Sequence, residues 1–341
     1  MSIVLVDKMR IDSKIITIGL CPCWDAVCQL DGVDWGQHKV ISSAYSRPAG
    51  KALNISRALA WMGVKSTAAG LWGREDYEQM AKAMRSLKDS IKVKMTAVEG
   101  STRRNITVVD TANNREMHLR AISRLASKKA LTKLKVDLKA TVNRNSICVF
   151  AGAMPEAQLL GDVIRIINCC RRSGAKIVVD TSGDALREIV NSGPARQIAK
   201  SYRIWLIKPN VEELCELLGE QIEDSPAGLE KAGRKLLDKV EIILISRGKK
   251  GAVVVTKKGS WQGQACTRES GCTGRTRVLS TVGCGDYLLA GFLKGLKGKS
   301  DVAFALKTAI KVATAKAWGW TEKMVWKDAV KRIEVSLREQ E

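Results

Sequence analysis

Residues 277–292 read Arg-Val-Leu-Ser-Thr-Val-Gly-Cys-Gly-Asp-Tyr-Leu-Leu-Ala-Gly-Phe. This pattern predicts a short strand over Arg277 to Leu279, a Gly-x-Gly turn and then a helix. The first N–H groups of a helix are unpaired, and the helix dipole adds positive potential there. Because glycine lets a ligand approach the backbone closely, the turn is a candidate anion site with Asp286 beside it as a proton acceptor. An ordinary helix start with a favourably placed acid explains the same residues.

The rest of the chain alternates β-branched runs with segments of helical spacing. Such alternation predicts an α/β fold with a central, mostly parallel sheet and helices on both faces. The predicted helices before the turn include Leu159 to Arg171 and Val211 to Leu218. The predicted strands are Ile15 to Leu20, Val64 to Ala69, Ser146 to Ala151, Lys176 to Asp180, Ile204 to Ile207 and Glu241 to Ser246.

Two stretches break the alternation, and the C-terminal part follows a different pattern. Residues 26–47 and 103–120 contain polar strand pieces around turn signals, and together they predict a small extra β-sheet that projects from the core. After Gly283 the spacing predicts helix to the end of the chain. The predicted C-terminal helices are Tyr287 to Leu296, Val302 to Trp318 and Trp326 to Leu337.

Composition limits the kind of protein and its ligands. The 341 residues include 57 Lys and Arg against 35 Asp and Glu, a formal net charge of +22. The 45% hydrophobic and 27% charged residues exclude a disordered chain or a fibre. No apolar run approaches the ~20 residues that span a bilayer, and Asp7, Lys8 and Arg10 interrupt the stretch that a secretory signal needs. We therefore expect a cytoplasmic protein that does not contact a membrane, and the charge predicts an anionic ligand or partner.

Two further loops carry groups that suit phosphate or sugar. Pro48 to Ile55 places Gly50, Lys51 and Asn54 at the start of a predicted helix, where the lysine suits phosphate and the amide suits sugar hydroxyls. A solvated lysine and a capping asparagine are the alternative. Arg103 precedes a predicted strand, and its guanidinium can grip phosphate, although a charged surface loop is the commoner case.

Two more candidates follow buried strands. Asn210 and Glu213 come after Lys208-Pro209, at the strand end where ligands of open α/β sheets bind, and they can hold Mg²⁺ through water. A helix cap with a first-turn acid explains the same letters. The turn Ser246 to Gly251 suits either a nucleotide loop or a hairpin.

The collinear order of these motifs resembles the ribokinase-like (phosphofructokinase B) family of carbohydrate kinases. The likeness is greatest to its 1-phosphofructokinase and tagatose-6-phosphate kinase branch and runs from about Lys14 to Trp318. Gly50 to Asn54 and Thr281 to Asp286 resemble the two family signatures. Between them, further landmarks resemble the sugar-phosphate branch: Thr102 to Asn105, Gly152 to Pro155, Asp180 to Gly183 and Lys208 to Asn210.

The resemblance implies a role for each motif. Asp286 is the implied catalytic base, with the backbone of Gly283, Cys284 and Gly285 as an anion hole for the transferred phosphoryl group. The implied ligand contacts are Asp25, Gly50, Lys51, Asn54 and Arg103 for the acceptor, Lys208, Asn210, Ser246, Gly248 and Gly251 for ATP, and Asn210 and Glu213 for Mg²⁺.

The resemblance also implies a domain division. Residues 12–25, 48–102 and 121–338 correspond to an α/β kinase core, and residues 26–47 and 103–120 correspond to a β-sheet lid that closes over the sugar. A homodimer through this lid is a further expectation from the family.

The expected activity is ATP- and Mg²⁺-dependent phosphorylation of a ketohexose monophosphate to the bisphosphate. Fructose 1-phosphate is the first expected acceptor, followed by tagatose 6-phosphate and fructose 6-phosphate. One alternative is a kinase for an unphosphorylated sugar or nucleoside, against which Lys51 and Arg103 argue. Another is a non-catalytic polyanion-binding protein on the same scaffold, but the basic residues are dispersed among acids and no specific nucleic-acid motif appears.

Overall fold

The computed structural model describes residues 13–193, 203–266, 278–299 and 301–340. Its strands are β1 (Lys14–Gly19), β2 (Cys23–Leu30), β3 (Ser43–Ala49), β4 (Ser66–Gly73), β5 (Ile91–Val98), β6 (Arg104–Asp110), β7 (Arg115–Leu119), β8 (Ser146–Ala151), β9 (Lys176–Asp180), β10 (Ile204–Ile207), β11 (Val240–Ser246), β12 (Ala252–Thr256), β13 (Gly259–Ala265) and β14 (Val335–Gln340). Its helices are α1 (Lys51–Trp61), α2 (Tyr77–Ala83), α3 (Lys128–Lys139), α4 (Leu160–Arg172), α5 (Gly183–Asn191), α6 (Val211–Leu218), α7 (Pro226–Arg234), α8 (Cys284–Lys299), α9 (Val302–Ala317) and α10 (Trp326–Lys331).

The main sheet has ten strands in the order β14-β13-β12-β11-β10-β9-β8-β1-β4-β5. The strands from β11 to β5 pair in parallel, whereas β12, β13 and β14 add antiparallel pairs at one edge. The chain leaves β1 for β4 on one side and later returns to β8 on the other. The strand order therefore reverses at β1, and a crevice forms at the carboxyl ends of strands at such a point.

Both faces of the main sheet are covered by helices. Along β1, Ile16 and Ile18 belong to the core on the side of α3 to α7, while Ile15 belongs to the core on the side of α1, α8 and α9. Each of these isoleucines is completely buried. The inner strands are buried on both faces. Their sequences are therefore near-continuous hydrophobic runs, the pattern from which the strands were predicted.

A separate sheet of four strands, in the order β3-β2-β6-β7, stands beside the main sheet. β2 pairs antiparallel with β3 and parallel with β6, and β6 pairs antiparallel with β7. Asn114 has a φ of +49° in the turn between β6 and β7, a conformation that asparagine tolerates better than most residues. The predicted α/β fold with a small additional sheet is thus confirmed.

The predicted strands correspond closely to the observed ones. The bounds of β8, β9 and β10 are those predicted, and β1, β4 and β11 differ from the prediction only at their ends. Two helices, α4 and α6, are likewise within one residue of prediction. The strands are continuous apolar runs and the two helices have apolar residues at helical spacing, so the hydrophobic pattern identifies them.

The prediction of helix throughout the C-terminal part was wrong. α10 ends at Lys331, and residues 335–340 form β14, an edge strand paired antiparallel with β13. Val335 and Leu337 pack against the core beside α9, while Ser336 and Arg338 are exposed. This alternation has the period of a strand, and the open edge of β13 offers hydrogen bonds that an isolated helix end would lack.

The short strand predicted before the Gly-x-Gly turn is also not observed. Val278 and Leu279 have no strand structure, and Arg277 lies outside the described residues. Leu279 instead donates its backbone N–H to the carbonyl of Ala317 at 2.8 Å, which attaches the turn to the end of α9. Within the described ranges, no helix has both the length and the apolar character needed to cross a membrane.

Candidate functional site

A cavity of about 370 Å³ opens at the carboxyl end of β1, where the strand order of the main sheet reverses. Both sheets and the first turns of α1 and α8 contribute to its wall. The predicted site residues in this wall are Asp25, Gly50, Lys51, Asn54, Arg103, Lys208, Gly283, Gly285 and Asp286. Asn210, Ser246, Gly248 and Gly251 lie outside this cavity, at and beyond the ends of β10 and β11.

Asp286 lies in the first turn of α8 and is almost completely buried. The side-chain amide of Asn54 donates a hydrogen bond to its Oδ2 at 2.8 Å. Burial, and then the charge of Asp180, raises the pKa of Asp286 to about 7, against the opposing effects of Asn54, Lys51 and Lys208. A carboxylate with a pKa near neutrality is well matched to accepting a proton from a hydroxyl group.

Asp180 is the centre of a buried group of charges behind Asp286. Its side chain is fully buried at the end of β9, and its Oδ1 accepts from Lys51 Nζ at 3.2 Å and from Lys208 Nζ at 3.3 Å. Burial acts to lower the pKa of Lys51, but the charges of Asp180, Asp286 and Glu213 outweigh it, so the pKa of Lys51 is raised. Lys51 therefore stays charged beside the cavity.

Asp180 was not among the predicted ligand-binding residues, although its motif was a landmark of the resemblance. The available signal was an acid directly after the buried run Ile-Val-Val of β9. Its Oδ2 is buried and has no hydrogen-bond partner among the described residues. An unpartnered carboxylate oxygen at this depth is a donor atom that suits a hard cation or a bound hydroxyl.

The turn before α8 brings backbone amides to the cavity. Gly283 has a φ of +78°, which favours glycine, and the N–H of Cys284 donates to the carbonyl of Thr281 at 3.2 Å. The amides of Gly285 and Asp286 then open α8 and have no acceptor within the helix. Burial raises the pKa of the Cys284 thiol to about 11, so Cys284 is a neutral thiol at physiological pH.

The small sheet supplies the opposite wall of the cavity. Asp25 in β2 lies next to Asn105 in β6, whose side-chain amide donates to Asp25 Oδ1 at 3.3 Å. The thiol of Cys23 donates to the same oxygen, and burial followed by the charge of Asp25 raises the pKa of Cys23 to about 12. Gly50, with a φ of +113°, begins α1 beside them. Asn105 was in a quoted motif but not among the predicted site residues, and only the strand register brings it to Asp25.

Arg103 lines the cavity, but its guanidinium is engaged with the backbone. Its Nε, Nη1 and Nη2 donate to the carbonyls of Pro22, Ala121 and Cys21 at 3.3, 2.7 and 2.9 Å. These three bonds connect the segment after β1 with the segment after β7. Arg103 therefore holds the mouth of the cavity together, a function that the sequence pattern does not reveal.

Asn210 and Glu213 form a capping box at the start of α6. Asn210 Oδ1 accepts from the N–H of Glu213 at 2.7 Å, and Glu213 Oε2 accepts from the N–H of Asn210 at 2.9 Å. This is the helix-cap arrangement that was the alternative to a metal site. The second carboxylate oxygen of Glu213 is not used by the cap, and the charge of Glu213 acts on Lys51.

The turn from Ser246 to Gly251 follows β11 next to this cap. The N–H of Ser246 donates to the carbonyl of Pro209 at 3.0 Å, which connects β11 to the segment before α6. Arg247 directs its side chain to Asp224, with Nε 2.7 Å from Oδ1, so its charge is neutralised away from the turn. Gly248 and Gly251 have φ values of +55° and +82°, and a Cβ on Gly251 would lie 2.0 Å from the carbonyl oxygen of Gly263.

Comparison with known proteins gives concordant results for sequence and fold. The family model described as pfkB family carbohydrate kinase matches residues 13–317. The 1-phosphofructokinase of Haemophilus influenzae is 25% identical over 337 residues, which cover 96% of this chain and 99% of that protein. The 1-phosphofructokinase of Borreliella burgdorferi is 32% identical over 272 residues, which cover 79% of this chain and 80% of that protein.

Solved structures of similar fold include two of phosphofructokinase-2 from Escherichia coli. The tetrameric inhibited form has a TM-score of 0.79 at 21% identity, and the complex with potassium has a TM-score of 0.80 at 20% identity. Each comparison covers 93% of this chain and 99% of the other. The likeness confirms the ribokinase-like architecture.

Replacing Asp180 by Asn should lower the pKa of Asp286. The substitution removes the negative charge that raises this pKa, while the amide oxygen still accepts from the lysines. The ¹³C shift of the Asp286 carboxyl, followed by NMR against pH, measures the effect. Asp184→Asn, which removes an exposed carboxylate of α5, is the control and should leave the titration unchanged. An unaltered midpoint in Asp180→Asn would disprove the electrostatic role of Asp180.

Proposed function

The chain belongs to the pfkB family of carbohydrate kinases, and we propose that it transfers the terminal phosphoryl group of ATP to fructose 1-phosphate. It is a sugar-phosphate kinase, as the family and the curated relatives establish. The observation that carries the proposed mechanism is the buried Asp286 carboxylate, with a pKa of about 7, at the helix start that follows the Gly283 turn.

Asp286 acts as the general base in this proposal. The hydroxyl of the acceptor gives its proton to Asp286 as its oxygen forms a bond to the terminal phosphorus of ATP and the bond to ADP breaks. Asn54 holds the carboxylate in place through the 2.8 Å hydrogen bond to Oδ2. The Gly283 to Gly285 turn and the first amides of α8 stabilise the negative charge on the transferred group.

Carboxylate oxygens near the cavity fit a magnesium ion. Asp180 Oδ2 is buried without a partner among the described residues, and the capping box leaves one oxygen of Glu213 unused. Mg²⁺ typically takes one or two protein carboxylates together with substrate phosphates. Asp180 and Glu213, with Asn210 beside them, would hold the ion, and when bound it neutralises phosphate charge. Lys208, Ser246, Gly248 and Gly251 are the proposed contacts of ATP.

The acceptor is proposed to lie between the small sheet and α1. Asp25 and Asn54 offer hydrogen bonds to sugar hydroxyls, and Gly50 lets the sugar approach the backbone. Lys51 and Arg103 are the predicted contacts of the acceptor phosphate. Lys51 is already paired with Asp180 and Arg103 with three carbonyls, so each has donors committed within the protein.

The small sheet is proposed as the lid, over residues 26–47 and 103–120. The register places Asp25, Asn105 and Thr107 on one face, towards the cavity. Closure of this sheet over the acceptor would exclude water, which otherwise competes as a phosphoryl acceptor.

Turnover with a panel of acceptors tests the substrate. ADP release from ATP and Mg²⁺ should give the highest kcat/KM with fructose 1-phosphate, followed by tagatose 6-phosphate and fructose 6-phosphate. Fructose, tagatose and adenosine are the matched acceptors without a sugar phosphate. Equal or faster turnover of these neutral compounds would favour the kinase for unphosphorylated acceptors.

Replacing Asp286 by Asn should lower kcat by about 10²- to 10⁴-fold, because the amide cannot take the proton. Binding of ATP, measured by calorimetry, should be retained. At pH 8 the variant should also resist urea better than the unchanged protein, since a carboxylate whose pKa is raised by burial destabilises the fold once it ionises. That gain should shrink as the pH falls from 8 to 4, where the native carboxyl is protonated. Unchanged turnover would refute the assignment of the base.

The outer face of the small sheet is proposed to form a homodimer. Ile106, Met117 and Leu119 share the face opposite Asp25, and each is 38–48% exposed. Ile106 and Leu119 also border the cavity at the edge of the sheet, whereas Met117 does not. An amphipathic sheet with an exposed apolar face is typical of an interface between protein chains. The E. coli phosphofructokinase-2 of similar fold includes a tetrameric form.

Met117→Asp should convert the proposed dimer into a monomer in light scattering coupled to size-exclusion chromatography, because a charge at the centre of an apolar interface is costly to bury. Val136→Asp, which changes an exposed apolar residue on α3, is the matched control and should stay dimeric. A monomeric mass for the unchanged protein would refute the interface.

A further inference from the structure

A groove of about 360 Å³ runs along the outer side of α1, next to the catalytic cavity. The two spaces share a common wall that consists of Asp25, Asn54, Val282 and Gly283. The groove is bounded by Arg47 of β3, Arg57 of α1, Tyr287 of α8 and Lys316 of α9. We call it the α1 groove.

Arg57 lacks the partners that a buried guanidinium requires. Its Nη2 donates to Met84 Sδ at 3.5 Å, a weak acceptor, and its Nη1 is buried without any hydrogen-bond partner in the described ranges. Burial, followed by the charge of Arg47, lowers the pKa of Arg57 to about 10, so it remains protonated at neutral pH. A buried cation without an acceptor is unfavourable unless an anion binds beside it.

Arg47 and Tyr287 place further donors in the same groove. Arg47 lies directly opposite Asp25 in the small sheet, and its charge acts on both Arg57 and Tyr287. Among the residues that the structure describes, no ion pair joins Arg47 or Arg57 to a carboxylate. Two guanidinium groups that are close enough to repel each other therefore face the α1 groove. The phenol of Tyr287, a residue of α8, faces the same groove.

The acids of the groove offset this pair only in part. The charge of Asp25 acts to raise the pKa of Arg57, but burial and the charge of Arg47 outweigh it. Asp25 Oδ1 accepts hydrogen bonds from Asn105 and Cys23. Glu322 is exposed and lies 3.5 Å from Lys316. Lys316 also lies over the ring of Tyr287, 5.6 Å from its centre, which adds a third cation to the groove wall.

We propose that the α1 groove binds a phosphate monoester group between Arg47 and Arg57. Guanidinium groups match the geometry of phosphate oxygens, and their charge-assisted bonds are about twice as strong as neutral ones. Arg57 follows Asn54 by three residues on α1, a rise of about 4.5 Å along the helix. Arg57 therefore lies slightly less than one helical turn from Asn54, which holds Asp286.

The phosphate has two chemically equivalent sources. It can belong to the acceptor itself, which rests on the proposed function and would explain why Lys51 and Arg103 are committed elsewhere. It can also belong to a separate phosphorylated effector that binds next to the acceptor. Both sources require the same pair of arginines, and kinetics separate them.

Calorimetric titration with inorganic phosphate tests the site directly. Arg57→Met and Arg47→Met each remove one charge at similar volume and should weaken phosphate binding about tenfold or more. Arg47 is exposed on β3, so its replacement is not expected to disturb folding. Arg165→Met removes one exposed charge from α4 and should leave the affinity unchanged.

Inorganic phosphate could bind in the catalytic cavity instead of the groove, and Arg120 tests this because it lines the cavity and not the groove. Phosphate binding that is lost in Arg120→Met but kept in Arg47→Met and Arg57→Met would overturn the proposal. Equal affinity in all four variants and the unchanged protein would also overturn it.

Steady-state kinetics then identify the source. If the acceptor supplies the phosphate, Arg47→Met raises the KM for fructose 1-phosphate about tenfold with the KM for ATP unchanged, and inorganic phosphate competes with the acceptor. If an effector supplies it, the KM for the acceptor is unchanged and the effect of phosphate on the rate is not competitive. Absence of turnover with every acceptor would refute the proposed function while leaving the calorimetric result intact.

Discussion

The arrangement of the site depends on the burial of Asp180 and Asp286 against each other. Two carboxylates at this depth cannot both ionise freely, so one must be paired and the other must have a raised pKa. Lys51 and Lys208 pair with Asp180, and the pKa of Asp286 is raised to about 7. The same electrostatic conflict therefore separates a carboxylate that is paired with two lysines from a carboxyl group whose pKa is raised.

This group of charges also explains why the fold and the site are inseparable. Asp180 ends β9, Lys208 follows β10, Lys51 begins α1 and Asp286 lies in the first turn of α8. All four positions are at the carboxyl edge of the parallel sheet, and the reversal at β1 leaves space there for ligands. Removing the charge of Asp180 would leave the buried ammonium group of Lys208 without its carboxylate partner, which is unfavourable.

The sequence predicts the elements better than the contacts between them. The inner strands have continuous apolar runs, and Asp286 and Asn54 belong to short motifs. The strands and these two residues of the cavity could therefore be predicted from the chain alone. Asp180, Asn105 and the backbone role of Arg103 depend on which strand ends and segments become neighbours. β14 was missed because its alternation covers only a few residues, and the open edge of β13 decides its conformation.

The net charge of +22 led to the expectation of an anionic ligand. In the structure, the basic residues fall into two classes, those exposed to solvent and those that are desolvated. Lys14, Lys92 and Lys94 lie near one another at the β5 side of the sheet, where burial and mutual repulsion lower the pKa of Lys14. Lys92 and Lys94 are exposed, so their charges are solvated and need no ligand. Arg57 differs because its Nη1 has neither solvent nor a described partner. The number of basic residues therefore says little about where a ligand binds. The desolvation of a single guanidinium, in contrast, identifies the place where the binding of an anion lowers the free energy of the protein most.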